Sequence, residues 1–379
     1  MNIIVAPDAF KDCLSAEGVG QAMCLGINDY SQNASSYVLQ VSDGGEGFLE
    51  AVRSYVNELT EVSVKTLDPL GREIKASYLY DSTEQTAYIE LARASGIELL
   101  SSEERNPLIT STYGTGIQIR DAINQGAKTI YVGLGGSSTN DAGTGMAHAM
   151  GYRFLDSEGK EVIPCGGNLA KIVTIEKPGS MPTTEFYAIN DVLNPLYGPT
   201  GAAYTYAPQK GASPEDVLAL DDGLKNLDAV VQEKLGHSKA MVPGTGAAGG
   251  SGYGLHVFLN ATFITGTRFI LGLSDFYKLL KDHKIELILT GEGKIDDQTA
   301  YGKLVHGLIT EGQKNEIPVA AICGKLDLSG TETESLGLAT VRELYDQEKP
   351  VEYSYSHASE LIRKKTTEIL NTVFGTPTQ

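Results

Sequence analysis

Cysteine is sparse. The four residues of this type (Cys13, Cys24, Cys165, Cys323) form no C-x-x-C pair and have no close histidine, which argues against a zinc site and against a disulfide framework. Positive charge is short as well: 30 Lys and Arg stand against 48 Asp and Glu, for a formal net charge of −18. Such a chain has no general basic footprint, so nucleic acid is not an expected partner, and a small anionic ligand must be met by locally placed lysine, arginine, amide or metal. No apolar run approaches the ~18 residues that cross a bilayer. The N-terminus reaches Pro7-Asp8 after Ile3 to Ala6 without a basic lead, unlike a signal peptide. The expectation is a cytoplasmic protein with no membrane partner. The six histidines (148, 237, 256, 283, 306, 357) fall in expected helices or loops with no serine elbow nearby, so nucleophilic hydrolysis lacks its parts.

What is present is organised around one stretch. Thr129 to Val132 is an apolar, β-branched run, and Gly133-Leu134-Gly135-Gly136-Ser137-Ser138-Thr139-Asn140-Asp141-Ala142-Gly143-Thr144-Gly145 follows it. The pattern predicts a strand, a loop and a helix whose body is Met146 to Tyr152. Dense glycine leaves backbone N–H groups bare, and a helix N-terminus adds partial positive charge, so a phosphate or carboxylate is the natural occupant. A Walker loop is absent, because no Gly-Lys pair here continues into Ser or Thr. A G-x-G-x-x-G pattern occurs once, at 244–249, but it follows Met241-Val242-Pro243, too short and proline-broken for a strand. A nicotinamide-dependent oxidoreductase is therefore the weaker alternative.

With 379 residues and 41 % hydrophobic content, the chain has length for two domains with packed cores. The first sixty residues read as two βα units. Ile3 to Ala6 ends in Pro7-Asp8-Ala9-Phe10-Lys11-Asp12, and Ser36 to Val41 ends in Ser42-Asp43-Gly44-Gly45-Glu46-Gly47. Between Leu59 and Leu91 the period changes to two, with a turn at Asp68-Pro69-Leu70-Gly71, which predicts an antiparallel meander. Phe186 to Ile189 is a further strand, ending in Asn190-Asp191. Ser213-Pro214-Glu215-Asp216 is a helix start, with serine as N-cap and proline at the first position; the helix should run to about Leu235. The last third returns to βα units: 286–290 ends in Gly291-Glu292-Gly293-Lys294-Ile295-Asp296, 317–322 ends in Cys323-Gly324-Lys325, and 338–344 precedes a helix at 357–370.

The expected fold is α/β: a parallel Rossmann- or flavodoxin-like sheet domain with a second, inserted α/β domain containing antiparallel strands. Residues 1–60 and about 283–379 form the first, with 105–150 a candidate addition to it; about 61–104 and 151–282 form the second. In parallel sheets ligands meet the carboxyl ends of the strands, and Asp8, Asp43, Asp191, Asp296, Lys11, Lys294 and Lys303 all fall there. Phosphoryl transfer to a hydroxyl needs backbone donors for phosphates, carboxylates for Mg²⁺, cations for transition-state charge and one carboxylate to take the hydroxyl proton. The chain carries each part.

Several motifs in order, among them Val5-Ala6-Pro7-Asp8-Ala9-Phe10-Lys11, Asp43-Gly44-Gly45-Glu46-Gly47, Asp68-Pro69-Leu70-Gly71-Arg72, Gly135-Gly136-Ser137-Ser138-Thr139-Asn140-Asp141, Pro208-Gln209-Lys210-Gly211-Ala212, Gly246-Ala247-Ala248-Gly249-Gly250 and Thr290-Gly291-Glu292-Gly293-Lys294-Ile295-Asp296, resemble those of the bacterial glycerate kinase family. The resemblance implies ATP- and Mg²⁺-dependent phosphorylation of D-glycerate, usually at the 2-hydroxyl, with the 3-hydroxyl as the alternative. It also implies two α/β domains with the active site in the cleft between them. On that basis Lys11 and the amides around Gly44 and Gly45 are expected to meet glycerate's carboxylate. Gly135, Gly136, Ser137, Ser138, Thr139, Asn140 and Asp141, with Gly246 and Lys294, are expected to meet the nucleotide. Asp43 and Asp296 are the expected Mg²⁺ ligands and Asp191 the proton acceptor. The chain departs from the family pattern at Ala9, Asn190 and Lys294, where Ser, Cys and Arg are common. Oligomeric state is left open.

Overall fold

The computed structural model describes residues 1–10, 13–42, 44, 45, 47–296, 304–329, 333 and 335–376. It divides into two compact units: unit 1 is Met1–Ser42 with Thr267–Gln379, and unit 2 is Asp43–Gly266.

Unit 1 is built on a five-stranded parallel sheet. Its strands are β1 (Asn2–Val5), β2 (Ser35–Val38), β11 (Leu287–Ile295), β12 (Val319–Leu326) and β13 (Thr340–Glu343), in the order β13-β12-β11-β1-β2. Numbered within the unit, this is the 2-1-3-4-5 order of flavodoxin-like sheets. Ile3, Ile4 and Val5 are wholly buried because β1 is flanked by β11 and β2. β2, at the edge, shows the opposite pattern, with most of its residues exposed. Helices Ala16–Tyr30 and Ala358–Phe374 pack together over Met23, Ile27, Ile362 and Ile369, and Arg363 bridges to Asp29.

Unit 2 is built on a six-stranded mixed sheet in the order β10-β9-β6-β5-β4-β3. β3 (Thr60–Leu67), β4 (Glu73–Asp81) and β5 (Thr86–Glu90) form the antiparallel meander that the two-residue period predicts. From β5 the sheet turns parallel through β6 (Thr129–Gly133), β9 (Glu185–Ile189) and β10 (Thr262–Ile264). A separate hairpin pairs β7 (Arg153–Leu155) with β8 (Thr174–Glu176). Helix Pro214–Leu235 begins with the expected cap: the Ser213 hydroxyl accepts from the Asp216 N–H, and Asp216 accepts in return from the Ser213 N–H.

Two expectations about domain bounds differ from these units. The units divide after Ser42 and Gly266 rather than near 60 and 283. Residues 105–150 belong to unit 2, because β6 pairs on both sides with strands of the mixed sheet. A run such as Thr129 to Val132 suits any parallel sheet, and the sequence does not say which one it enters.

Candidate active site

In unit 2 the parallel strands β5, β6 and β9 end at a common edge, and their loops meet there. Leu134 N–H donates to the Ile189 carbonyl at 2.9 Å, tying the loop after β6 to the end of β9. Gly44 lies on that same Ile189 carbonyl. Gly135 is so close to Gly45 that a Cβ on it would stand 2.2 Å from the Gly45 Cα. Asn190 and Asp191 follow Ile189 directly, and both are nearly buried. The Asn190 side-chain carbonyl accepts from Val192 N–H at 3.2 Å, which fixes the turn around Asp191. Gly44, Gly45, Gly135, Gly136 and Asp191 are thus brought to one strand edge.

The loop is held almost residue by residue. Ile97 N–H donates to the Gly136 carbonyl at 2.8 Å. The Ser138 N–H and hydroxyl both donate to the Ser95 carbonyl, and the Thr110 hydroxyl donates to the Ser138 carbonyl. Lys210, on a short helical turn from Pro208 to Lys210, donates from Nζ to the Ser137 hydroxyl and to the Thr139 carbonyl, each at 2.7 Å. Among the described residues, Thr139 Oγ1 and both side-chain amide atoms of Asn140 are buried without a hydrogen-bond partner. Gly246 N–H donates to the Asn194 carbonyl at 2.9 Å, and the Ala248–Gly250 stretch runs left-handed against Thr139 and Asn140.

One expectation needs correction. The helix after this loop is short, Thr144–Ala149, and its N-terminus already holds an anion, the carboxylate of Asp141. That group accepts from the N–H and hydroxyl of Thr112 at 2.8 Å each and from the Gly143 and Gly145 N–H groups at 3.2 Å. Burial pushes the Asp141 carboxyl up, and these donors oppose the shift. Asp141 and Ser138 therefore serve the interior, and the accessible part of the loop is Gly135 and Gly136. The Gly143 and Gly145 N–H groups, which the glycine pattern offers to a ligand, are satisfied by a residue of the loop itself.

Lys210 is the residue that sequence reasoning missed. It stands in a quoted motif, but its partners lie 71 and 73 positions away. Burial lowers its ammonium to about 7, with Asp141 acting in the opposite direction.

Lys294 and Asp296 belong to unit 1, at the end of β11. Lys294 Nζ lies 3.1 Å from Asp296 Oδ2 and 3.0 Å from Asp327 Oδ2, and the two carboxylates hold its ammonium above the usual lysine range. Lys11, Asp43, Glu46 and Lys303 lie outside the described residues. The dinucleotide alternative fails on geometry. No strand precedes 244–249, and Ala248, Gly249 and Gly250 take φ of 51°, 66° and 84°, so no regular helix N-terminus forms there.

Glycine-rich loops gathered at the carboxyl ends of parallel strands, with a buried lysine and a nearly buried aspartate among them, define an α/β enzyme that handles small molecules. The chain belongs to the glycerate kinase family, whose model matches residues 3–374, and it is accordingly a kinase. It is 39 % identical to a glycerate kinase of Halalkalibacterium halodurans and 38 % identical to the glycerate 2-kinase of Escherichia coli, over 86 % of each chain in both cases. It is also similar to a crystal structure described as a putative glycerate kinase 2 from Salmonella typhimurium LT2, with a TM-score of 0.76, 33 % identity and 98 % of each chain covered. No helix among the described residues is long and apolar enough to cross a membrane.

Proposed function

We propose that the protein transfers the γ-phosphoryl group of Mg·ATP to the 2-hydroxyl of D-glycerate, giving 2-phosphoglycerate and ADP in the cytoplasm. The observation that carries this reading is the 38 % identity to a glycerate 2-kinase over 86 % of both chains. In balance, the bond from the γ-phosphorus to the bridging oxygen of ADP breaks, a bond from the glycerate C2 oxygen to phosphorus forms, and the hydroxyl proton passes to a base. Asp191 is the proposed base, supported by its place two residues past the end of β9, whose last residue, Ile189, lies against Gly44. Gly135 and Gly136, backed by Ser137, Ser138, Thr139, Asn140 and Asp141, are assigned to the donor's phosphates, with Gly246 and its neighbours bracing them from behind. Lys11 and the amides at Gly44 and Gly45 are assigned to glycerate's carboxylate, and Lys294 to the nucleotide.

Magnesium fits a site of this kind. It keeps several waters and takes ligands from the phosphates, so one or two protein carboxylates suffice. Asp296, partly exposed at a strand end, suits that role, and Asp43 is assigned with it. Bound there, the ion would neutralise charge on the transferring phosphoryl group.

ADP release tests the substrate. D-glycerate with Mg·ATP should release ADP faster than lactate or other close hydroxy acids; an analogue that turns over while glycerate does not would replace it as the substrate. Gly136→Val tests the loop. Gly136 is exposed with φ 61°, and a Cβ there would stand 3.3 Å from Ala92 Cβ. A β-branched residue is strained in that conformation and blocks close approach of an anion. Calorimetry should show nucleotide affinity weakened about ten-fold or more with glycerate affinity little changed. Equal loss of both ligands would give the loop a purely architectural role.

A further inference from the structure

A lysine is seldom buried without a charged partner, because desolvating an ammonium is costly. Lys210 is 2 % exposed and has no ion-pair partner among the described residues. Its two acceptors are a hydroxyl and a carbonyl, Ser137 Oγ and Thr139 O, which bracket Ser138 in the loop after β6. A neutral donor could satisfy both oxygens. The turn that carries Lys210 is fixed in turn: Gly211 has φ 94°, and a Cβ there would stand 2.3 Å from the Arg105 carbonyl oxygen. The Lys210 amino group is therefore rigidly seated against Ser137 and Thr139, just past Gly135–Gly136, with the buried Asp141 carboxyl near enough to act on it.

We propose that Lys210 positions the donor-binding loop: by tying Ser137 to Thr139 it fixes the Gly135–Gly136–Ser137 backbone in the shape that receives phosphate. The proposal rests on the assignment of this loop to the donor's phosphates. Lys210 touches the loop and acts through it. The chemistry recognised is that of a nucleoside triphosphate's phosphate groups. Two signs of spare polar capacity accompany the clamp: one of the three protons of the charged amino group is not used by the two bonds, and Thr139 Oγ1 and the Asn140 amide are buried without partners among the described residues.

The test compares Lys210→Met, which keeps length and loses charge, with Ser137→Ala, which removes one of the two acceptors and little else. Steady-state KM for ATP and for D-glycerate, kcat and nucleotide Kd are measured for both variants and for the double variant. Lys210→Met should raise the ATP KM and Kd about ten-fold or more while the glycerate KM stays within about two-fold, and Ser137→Ala should raise the ATP KM about three-fold. The double variant should be no worse than Lys210→Met alone, since both changes break one clamp. Should Lys210→Met not fold, Ser137→Ala decides alone: a normal ATP KM overturns the proposal. A folded Lys210→Met enzyme with normal nucleotide affinity overturns it too. If Gly136→Val still abolishes nucleotide binding in that case, the loop assignment stands and only the clamp fails; if neither variant alters nucleotide binding, the loop assignment itself fails.

Discussion

Asp191→Asn enzyme folds, binds glycerate and nucleotide, and turns over about 10²–10⁴ times more slowly than the parent. The amide keeps the shape of the carboxylate and cannot take a proton, so the loss falls on kcat and corresponds to roughly 3–5 kcal/mol of barrier. Asp191 is nearly buried, so a neutral replacement also changes local solvation, by about 1 kcal/mol in either direction. That change is too small to imitate the catalytic loss. Steady-state kinetics with thermal unfolding on the same sample separates the two. A variant that keeps more than about a tenth of parental kcat assigns the base elsewhere, to Asp8 or Asp43. Loss of Mg²⁺ dependence or of ATP affinity with the proton step intact would make Asp191 a metal ligand instead.

Gly249→Ala has the largest expected effect on stability. Gly249 has φ 66°, and a Cβ on it would stand 1.9 Å from the Thr139 carbonyl oxygen and 2.9 Å from the Asn140 Cα. Both obstacles are backbone, and the same stretch is tied by Lys210, Asp141 and Thr112, so neither can move cheaply. Left-handed strain of ~1–2 kcal/mol and overpacking of ~1–3 kcal/mol together suggest about 3 kcal/mol. For a unit the size of residues 43–266 this lowers Tm by roughly 6–12 °C. Differential scanning calorimetry should show the shift, with ATP affinity falling in parallel as the loop at 139–141 is displaced. An unchanged Tm would mean that the left-handed turn does not press on the loop.

Local patterns carried much of the fold in plain view. The run at Ile3 to Ala6 names a strand buried on both faces, the period of two from Leu59 to Leu91 names the meander, and Ser213-Pro214-Glu215-Asp216 names a helix start whose capping box the structure contains. What stayed hidden depends on pairs far apart in the chain. β6 shows its apolar run but not its neighbours, so the sheet it joins could not be read. β10, at three residues, is too short to leave a period. The glycines at 133–145 were legible as a loop, yet whether their N–H groups face a ligand or Asp141 turns on Thr112, 29 positions earlier. Lys210 looks like a surface lysine until its bonds to Ser137 and Thr139 are seen. Departures from the family pattern at Ala9, Asn190 and Lys294 leave every candidate carboxylate in place. Asn190 has a local use, since its side chain holds the turn at Val192.

Transfer of phosphate to the 2-hydroxyl of D-glycerate is decided by the proton-coupled ³¹P spectrum of the product formed from D-glycerate and Mg·ATP. A phosphate on C2 is coupled through oxygen to one carbon-bound proton and gives a doublet, whereas a phosphate on C3 is coupled to two and gives a triplet. A new phosphomonoester doublet should rise as the γ-phosphate signal of ATP falls and ADP appears. A triplet would contradict the position of transfer, and inorganic phosphate as the only new signal would contradict transfer to glycerate altogether.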